Sequence, residues 1–164
     1  MALKADRYEE STDISFFYVT APAVSRGGVV CLETLSASGA AMDQGDNTVV
    51  YTSATATDVP VGILLNDVVD KDLTRTHLNQ YKDEVQKGGK VTVMTRGWVV
   101  TSNIDGTPAA GDLAFASPVT AGAVCNNTTF AAASGELAVG RFMSAKDADG
   151  YAKVYINLPN TFGA

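Results

Sequence analysis

The feature that most constrains the fold is a strict two-residue alternation near the C-terminal end. Within 151–158, apolar and polar side chains take turns, with Val154, Ile156 and Leu158 set against Lys153, Tyr155 and Asn157. Successive side chains of a β-strand point to opposite faces, so this period predicts a strand with one buried face. Pro159 follows and ends the pattern.

Short runs rich in β-branched residues recur from Arg26 onward, separated by Gly, Asp and Asn. The clearest run is 90–101, which alternates as far as Gly97, where we expect a bulge or a sharp bend. The other runs lie at 28–35, 48–52, 61–65, 112–116 and 137–143. These runs predict an all-β domain, closed or nearly closed into a small barrel, because closure removes exposed edge strands.

One segment departs from this pattern. Between Asp72 and Lys87 the apolar residues fall at helical spacing, and the segment ends at Gly88 and Gly89. Helical spacing with a glycine stop predicts one short helix over 72–87.

The first 21 residues differ from the rest of the chain. Residues 1–13 are polar and charged with no strand or helix period, and an apolar cluster over 14–19 follows them. We expect an extended N-terminal arm over 1–21 and a β-rich domain over 22–164. Within the arm, Ile14, Phe16, Phe17 and Tyr18 are the candidate contacts with another protein. In the alternative interpretation, 14–19 is the first strand of the chain's own sheet.

Length and charge limit the functional classes. The 164 residues suit one domain with an arm, and the formal net charge is −6. A net negative charge argues against nucleic acid and anionic membranes as partners. The N-terminus lacks the apolar stretch of a secretory signal, so we expect synthesis and folding in a cytoplasm.

No pattern of catalytic or metal-binding residues stands out. The single histidine, His77, falls on the apolar stripe of the expected helix. The two cysteines, Cys31 and Cys125, lie in apolar surroundings, and we expect them to be buried free thiols. The residues 147–150 share the alternating acidic residues of a calcium loop but lack its third oxygen ligand and its distal glutamate, and a hairpin turn explains them equally well. The only tryptophan, Trp98, is expected in the core. We therefore expect neither an enzyme nor a bound cofactor or metal.

The order of the β runs resembles one protein family. The matching pieces are 27–32, 60–67, 89–100, 108–115, 137–142 and 151–158. Together they are similar to the capsid cement, or head decoration, proteins of tailed bacteriophages. The arm over 1–21 has no family motif, and 72–87 is longer than the family's usual link.

The resemblance implies a small β-barrel or β-tulip fold, no enzymatic activity, and a place in the virion on the outer surface of the capsid. It implies that the partner is the major capsid protein and that the chain forms a symmetric oligomer. A homotrimer is the preferred expectation, and a dimer is the second choice. A structural β-domain of the tail or baseplate, or a carbohydrate-binding adhesin, would share the composition and the lack of a catalytic site. These two classes stay open as alternatives.

Overall fold

Strands account for most of the residues that the computed structural model describes, which are 2–19, 24–33, 47–51, 58–67, 84–85, 88–126 and 138–158. Their bounds are β1 (Leu3–Asp13), β2 (Phe17–Tyr18), β3 (Val24–Ser25), β4 (Val29–Glu33), β5 (Thr48–Val50), β6 (Pro60–Asp67), β7 (Glu84–Val85), β8 (Val91–Thr101), β9 (Ile104–Asp105), β10 (Leu113–Ala116), β11 (Val124–Asn126), β12 (Ala138–Phe142) and β13 (Ala152–Asn157). The predicted all-β class is confirmed.

Eleven of these strands form one sheet, in the order β2-β5-β4-β6-β8-β13-β12-β10-β11-β9, with β1 also paired to β8. The pairs β2–β5 and β11–β9 are parallel, and the other neighbours in this sheet are antiparallel. Strands β3 and β7 form a separate two-stranded sheet. Over the described residues the large sheet is an open path, so its closure into a barrel stays a prediction.

The described residues contain no helix. Most of the segment predicted to be helical, 72–87, lies outside them. At its C-terminal end, however, Glu84 and Val85 pair with β3, and Val85 is buried in the core. The helix prediction is therefore wrong for these two residues, because tertiary pairing and burial outweigh a local apolar spacing.

The longest pairings converge on β8, which pairs with β1, β6 and β13. Gly97 lies within β8 at a φ of 137°, and a Cβ there would lie 2.1 Å from the Tyr8 carbonyl oxygen. The β1–β8 register shifts beside this point, between Glu9 and Ser11. The structure thus places an irregularity where the sequence indicated one, and only glycine fits this close approach of two backbones.

The middle of the sheet is buried on both faces. Ile63 and Leu65 of β6 belong to a first core, whereas Leu64 between them belongs to a second core. On β8, Met94 and Val93 divide in the same way. A strand covered on both faces needs consecutive apolar residues rather than an alternation, which explains the unbroken run over 61–65.

The N-terminal segment belongs to this sheet. Leu3 is buried in the first core, and most of the remaining side chains of β1 are exposed. Phe17 pairs with Thr48, and Tyr18 is fully buried in the second core. This placement agrees in part with the alternative in which 14–19 is the first strand of the chain's own sheet, because only Phe17–Tyr18 forms a strand there and β1 precedes it. Whether the segment exchanges between subunits, as an arm over 1–21 would, stays a prediction.

A tyrosine joins two loops next to the strands. The Tyr51 hydroxyl accepts a hydrogen bond from the Gly28 N–H at 2.8 Å and donates one to the Ser25 carbonyl at 2.8 Å. Its ring occupies the space that a side chain at Gly122 would need. One side chain therefore fixes 25–28 against the segment that leads into β11.

Replacing Tyr51 by phenylalanine tests this bridge. The change leaves the buried Gly28 N–H without its acceptor, so we expect the free energy of unfolding to fall by about 1–3 kcal/mol in urea titrations. Tyr8→Phe is the matched control, because this exposed hydroxyl makes no hydrogen bond to another described residue. Equal stability of Tyr51→Phe and the native protein would contradict the assigned role.

Candidate interaction surface

The described residues show no metal-binding cluster. No group of three or more His, Cys, Asp or Glu among them could hold a metal ion, and His77 lies outside the described residues. Cys31 and Cys125 are buried and are not joined in a disulfide, as predicted. Burial, with a smaller contribution from Asp58, raises the pKa of Cys31 to about 12, so its thiol is not a nucleophile near neutral pH. No helix among these residues has the length and apolarity to cross a membrane.

The acidic turn at 147–150 has a structural explanation. One carboxylate oxygen of Asp147 accepts hydrogen bonds from the backbone N–H groups of Tyr151 at 2.8 Å and Asp149 at 3.0 Å. The other oxygen faces the Lys4 ammonium at 3.3 Å, which also lies 4.1 Å from the centre of the Tyr151 ring. The carboxylate thus closes the turn before β13 and holds the start of β1. The expected hairpin turn accounts for these contacts.

A row of partly or fully exposed side chains crosses five strands, on the face opposite the first core. Tyr8 of β1 lies opposite Trp98 of β8, and Trp98 lies opposite Tyr155 of β13. Tyr155 lies opposite Arg141 of β12, which lies opposite Leu113 of β10. Directly opposed residues share a face of the sheet, so these five side chains, here called the aromatic row, form one continuous surface.

Charged groups border the aromatic row. The Lys153 ammonium lies 3.5 Å from the centre of the Trp98 ring, within the range of a cation–π interaction. The Arg96 guanidinium pairs with the Glu10 carboxylate at 2.8 Å, and the Tyr155 hydroxyl lies 3.4 Å from both side chains. This polar frame links β1, β8 and β13 on the outer side of the sheet.

The position of Trp98 differs from the sequence-based expectation. It is half-buried and belongs to neither core, because its neighbour Val99 takes the inward position on β8. Tyr8, at 55% exposure, and Leu113, at 44%, leave apolar surface open at both ends of the row. Tyrosine, tryptophan and arginine are the residue types enriched at the centres of protein interfaces, so the composition of the row is typical of a protein-binding surface.

The four contact candidates from the sequence separate in the structure. Ile14 is 55% exposed, whereas Tyr18 is completely buried and offers no surface to a partner in this conformation. Phe16 packs against the second core, and Phe17 is half-buried with the Lys90 ammonium 5.5 Å from its ring centre. Ile14 therefore offers most of the exposed apolar surface in this group.

Sequence reasoning missed the aromatic row because its members are far apart along the chain. Each lies on a different strand, and only the register of four pairings brings them together. The period at 151–158 placed Tyr155 and Lys153 on the outer face, and this was the one available signal.

Comparison with known proteins gives one match that covers most of the chain. A family model described as structural cement protein (E217 gp24/Pam3 gp6) matches residues 12–157. The matched region runs from the end of β1 to the last residue of β13. Among curated proteins, none matches this sequence.

Replacing Asp147 by asparagine tests how β1 is held. The backbone N–H of Tyr151 is the largest cause that lowers the pKa of Asp147, and Lys4 lowers it further. A carboxyl group whose pKa is lower in the folded state adds stability above its unfolded pKa of about 3.9, and that stability is lost as the pH falls through the folded value. We therefore expect Asp147→Asn to unfold at a lower temperature at pH 7 and to lose less stability between neutral and acid pH.

The matched control for this variant is Asp149→Asn in the same turn, since the Asp149 carboxylate accepts no hydrogen bond from the described residues. Thermal unfolding followed by circular dichroism across this pH range gives both quantities. Identical pH profiles for the two variants and the native protein would rule out the role assigned to Asp147.

Proposed function

Because the chain belongs to the phage structural cement protein family, we propose that it binds the outer surface of a phage head and stabilises the contacts between capsomers. The observation that carries this proposal is the family match over 12–157, which includes β2 to β13 completely. An all-β domain with no metal-binding cluster in its described part fits a structural, non-enzymatic protein.

The proposed partners are the major capsid protein and further copies of the chain, most simply a homotrimer, with a dimer as the next choice. A symmetric oligomer engages several sites on the shell at once, so contacts of modest strength combine into tight binding. The protein would be made in the host cytoplasm and then join the virion from outside. A net charge of −6 suits a protein that does not contact the packaged DNA.

We also propose that the sheet closes into a barrel. The Val29 N–H of β4 donates a hydrogen bond of 2.8 Å to the carbonyl of Gly122, just before β11. Strands β4 and β11 are far apart in the pairing order, so this bond supports a sheet that curls back on itself. The first core, which collects side chains from β4, β6 and each strand from β8 to β13, supports the same arrangement.

Decoration of empty heads tests the function. We expect the purified protein to bind capsids of the encoding phage that were assembled without it, and to raise their disruption temperature by several degrees, because a ligand that binds only the intact shell stabilises it. Binding is measured by co-sedimentation and disruption by light scattering. Electron microscopy that located the protein on tails or fibre tips, with bare heads, would overturn the proposal in favour of a tail or adhesin role.

The exposed Ile14 offers a more local test. If the capsid covers its remaining exposed surface, Ile14→Ser should weaken decoration about tenfold, since this burial is worth on the order of 1–2 kcal/mol. Val119→Ser is the matched control, because Val119 is exposed to a similar degree, 62%, in a turn on another part of the molecule. Both variants should unfold at the native temperature. Equal decoration by the two variants would exclude Ile14 as a contact.

A further inference from the structure

We propose that the aromatic row, with Lys153 beside it, is a docking surface for a carboxylate-rich segment on the outer face of the capsid shell. This inference rests on the proposed function and adds the surface and the chemistry of its partner. Three observations carry it, namely the continuity of the row, two cations (Lys153 and Arg141) that have no carboxylate partner among the described residues, and the shielding of Trp98.

The row is continuous because it follows the sheet's own register. Four successive cross-strand pairs connect Tyr8 to Leu113, so the distance between neighbouring strands, about 4.8 Å, sets the spacing of the side chains. Strands β8 and β13 hold the centre of the row through six paired positions, from Ala152 to Asn157. The surface therefore exists before a partner arrives, and little side-chain ordering is needed on binding.

The charges around the aromatic row indicate the charge of the partner that would bind there. Among the described residues, neither Lys153 nor Arg141 has a carboxylate within ion-pair distance. Lys153 lies over the Trp98 ring, and Arg141 donates a hydrogen bond to the Gly111 carbonyl. Arg96, in contrast, is neutralised by Glu10. Two cations without carboxylate partners, in a chain of net charge −6, make this surface locally complementary to acidic groups.

The position of Lys153 favours an acidic protein segment over a carbohydrate as the partner. A sugar would need an open face of Trp98 on which to stack, but the ammonium group already lies 3.5 Å from the centre of that ring. A carboxylate can approach the same ammonium without displacing it, and aliphatic or aromatic groups of the partner can then cover Tyr8 and Leu113. The row is thus suited to a protein segment that combines acidic and apolar residues.

The test uses charge reversal at the two cations. In the decoration assay with capsids that lack this protein, we expect Lys153→Glu and Arg141→Glu each to raise the half-saturating concentration about tenfold, because like charges then face each other across the contact. Lys153→Arg keeps the charge and should bind like the native protein. The control is Thr120→Glu combined with Ala121→Glu, which changes the net charge by the same amount in the exposed turn at the other end of β10.

Trp98 supplies a second readout, since it is the only tryptophan of the chain and lies in the row. 5-Hydroxytryptophan at this position can be excited apart from the tryptophans of the capsid. We expect its emission to shift to shorter wavelength on binding, as the row becomes covered. We also expect binding of the native protein to weaken as salt rises from 50 to 200 mM, roughly the range over which screening grows strongly. Unchanged thermal midpoints of the variants would show that the fold is intact.

The possible outcomes distinguish failure of the docking surface from failure of the proposed cement function. If the native protein does not bind capsids at all, the cement function itself fails. If it binds, but the charge reversals match the control or the Trp98 emission stays constant, the docking surface is wrong and the function survives. If the reversals abolish self-association in sedimentation and leave capsid binding intact, the row is a contact between subunits, and the inferred partner is overturned.

Discussion

Backbone pairing along β8 is the constraint on which the rest of the structure depends. This strand hydrogen-bonds to β1, β6 and β13, and the other strands of the sheet extend from those partners. Since a one-residue slip moves every side chain to the opposite face, the register on β8 decides what is buried and what is exposed over much of the molecule. Gly97 is the point where this register accommodates β1, because the Tyr8 carbonyl approaches too closely for any side chain.

Burial on both faces of the sheet explains why that register is so strongly specified. Near β6, a slip would exchange the first core for the second, placing Leu64 where Ile63 belongs. Near β13, a slip would bring Lys153 and Tyr155 into the first core in place of Val154 and Ile156. Burying a charged group without a partner costs far more free energy than the packing of a methyl group gains. The polar residues of β13 therefore disfavour a slipped register as strongly as its apolar residues favour the observed one.

The strands with a clear period were predictable, because burial of one face produces an alternation of apolar and polar residues that is visible within a few positions. The run at 151–158 and the irregularity at Gly97 depended only on local information, and both were found. The strand at 84–85 was missed because its pairing with β3 involves residues about sixty positions earlier. Trp98 was misplaced for a related reason, since a bulky aromatic residue on a strand indicates burial until its neighbour Val99 is known to face the core.

The exposed surface was the least predictable part, and physical reasons explain why. An outward side chain contributes little to the core, so no periodic rule governs its identity, and its neighbours on the surface depend on cross-strand register. Because the residue types on the outer face are not fixed by packing, residues used for binding can lie there without weakening the fold. In this protein the inward positions of β8 and β13 are filled by Val99, Val154 and Ile156. Trp98 and Tyr155 therefore lie on the outer face, and they are held by a backbone whose geometry the core has already fixed. Under the proposed function, a protein that binds a shell at many equivalent positions benefits from this arrangement, because a rigid surface loses little conformational entropy at each contact.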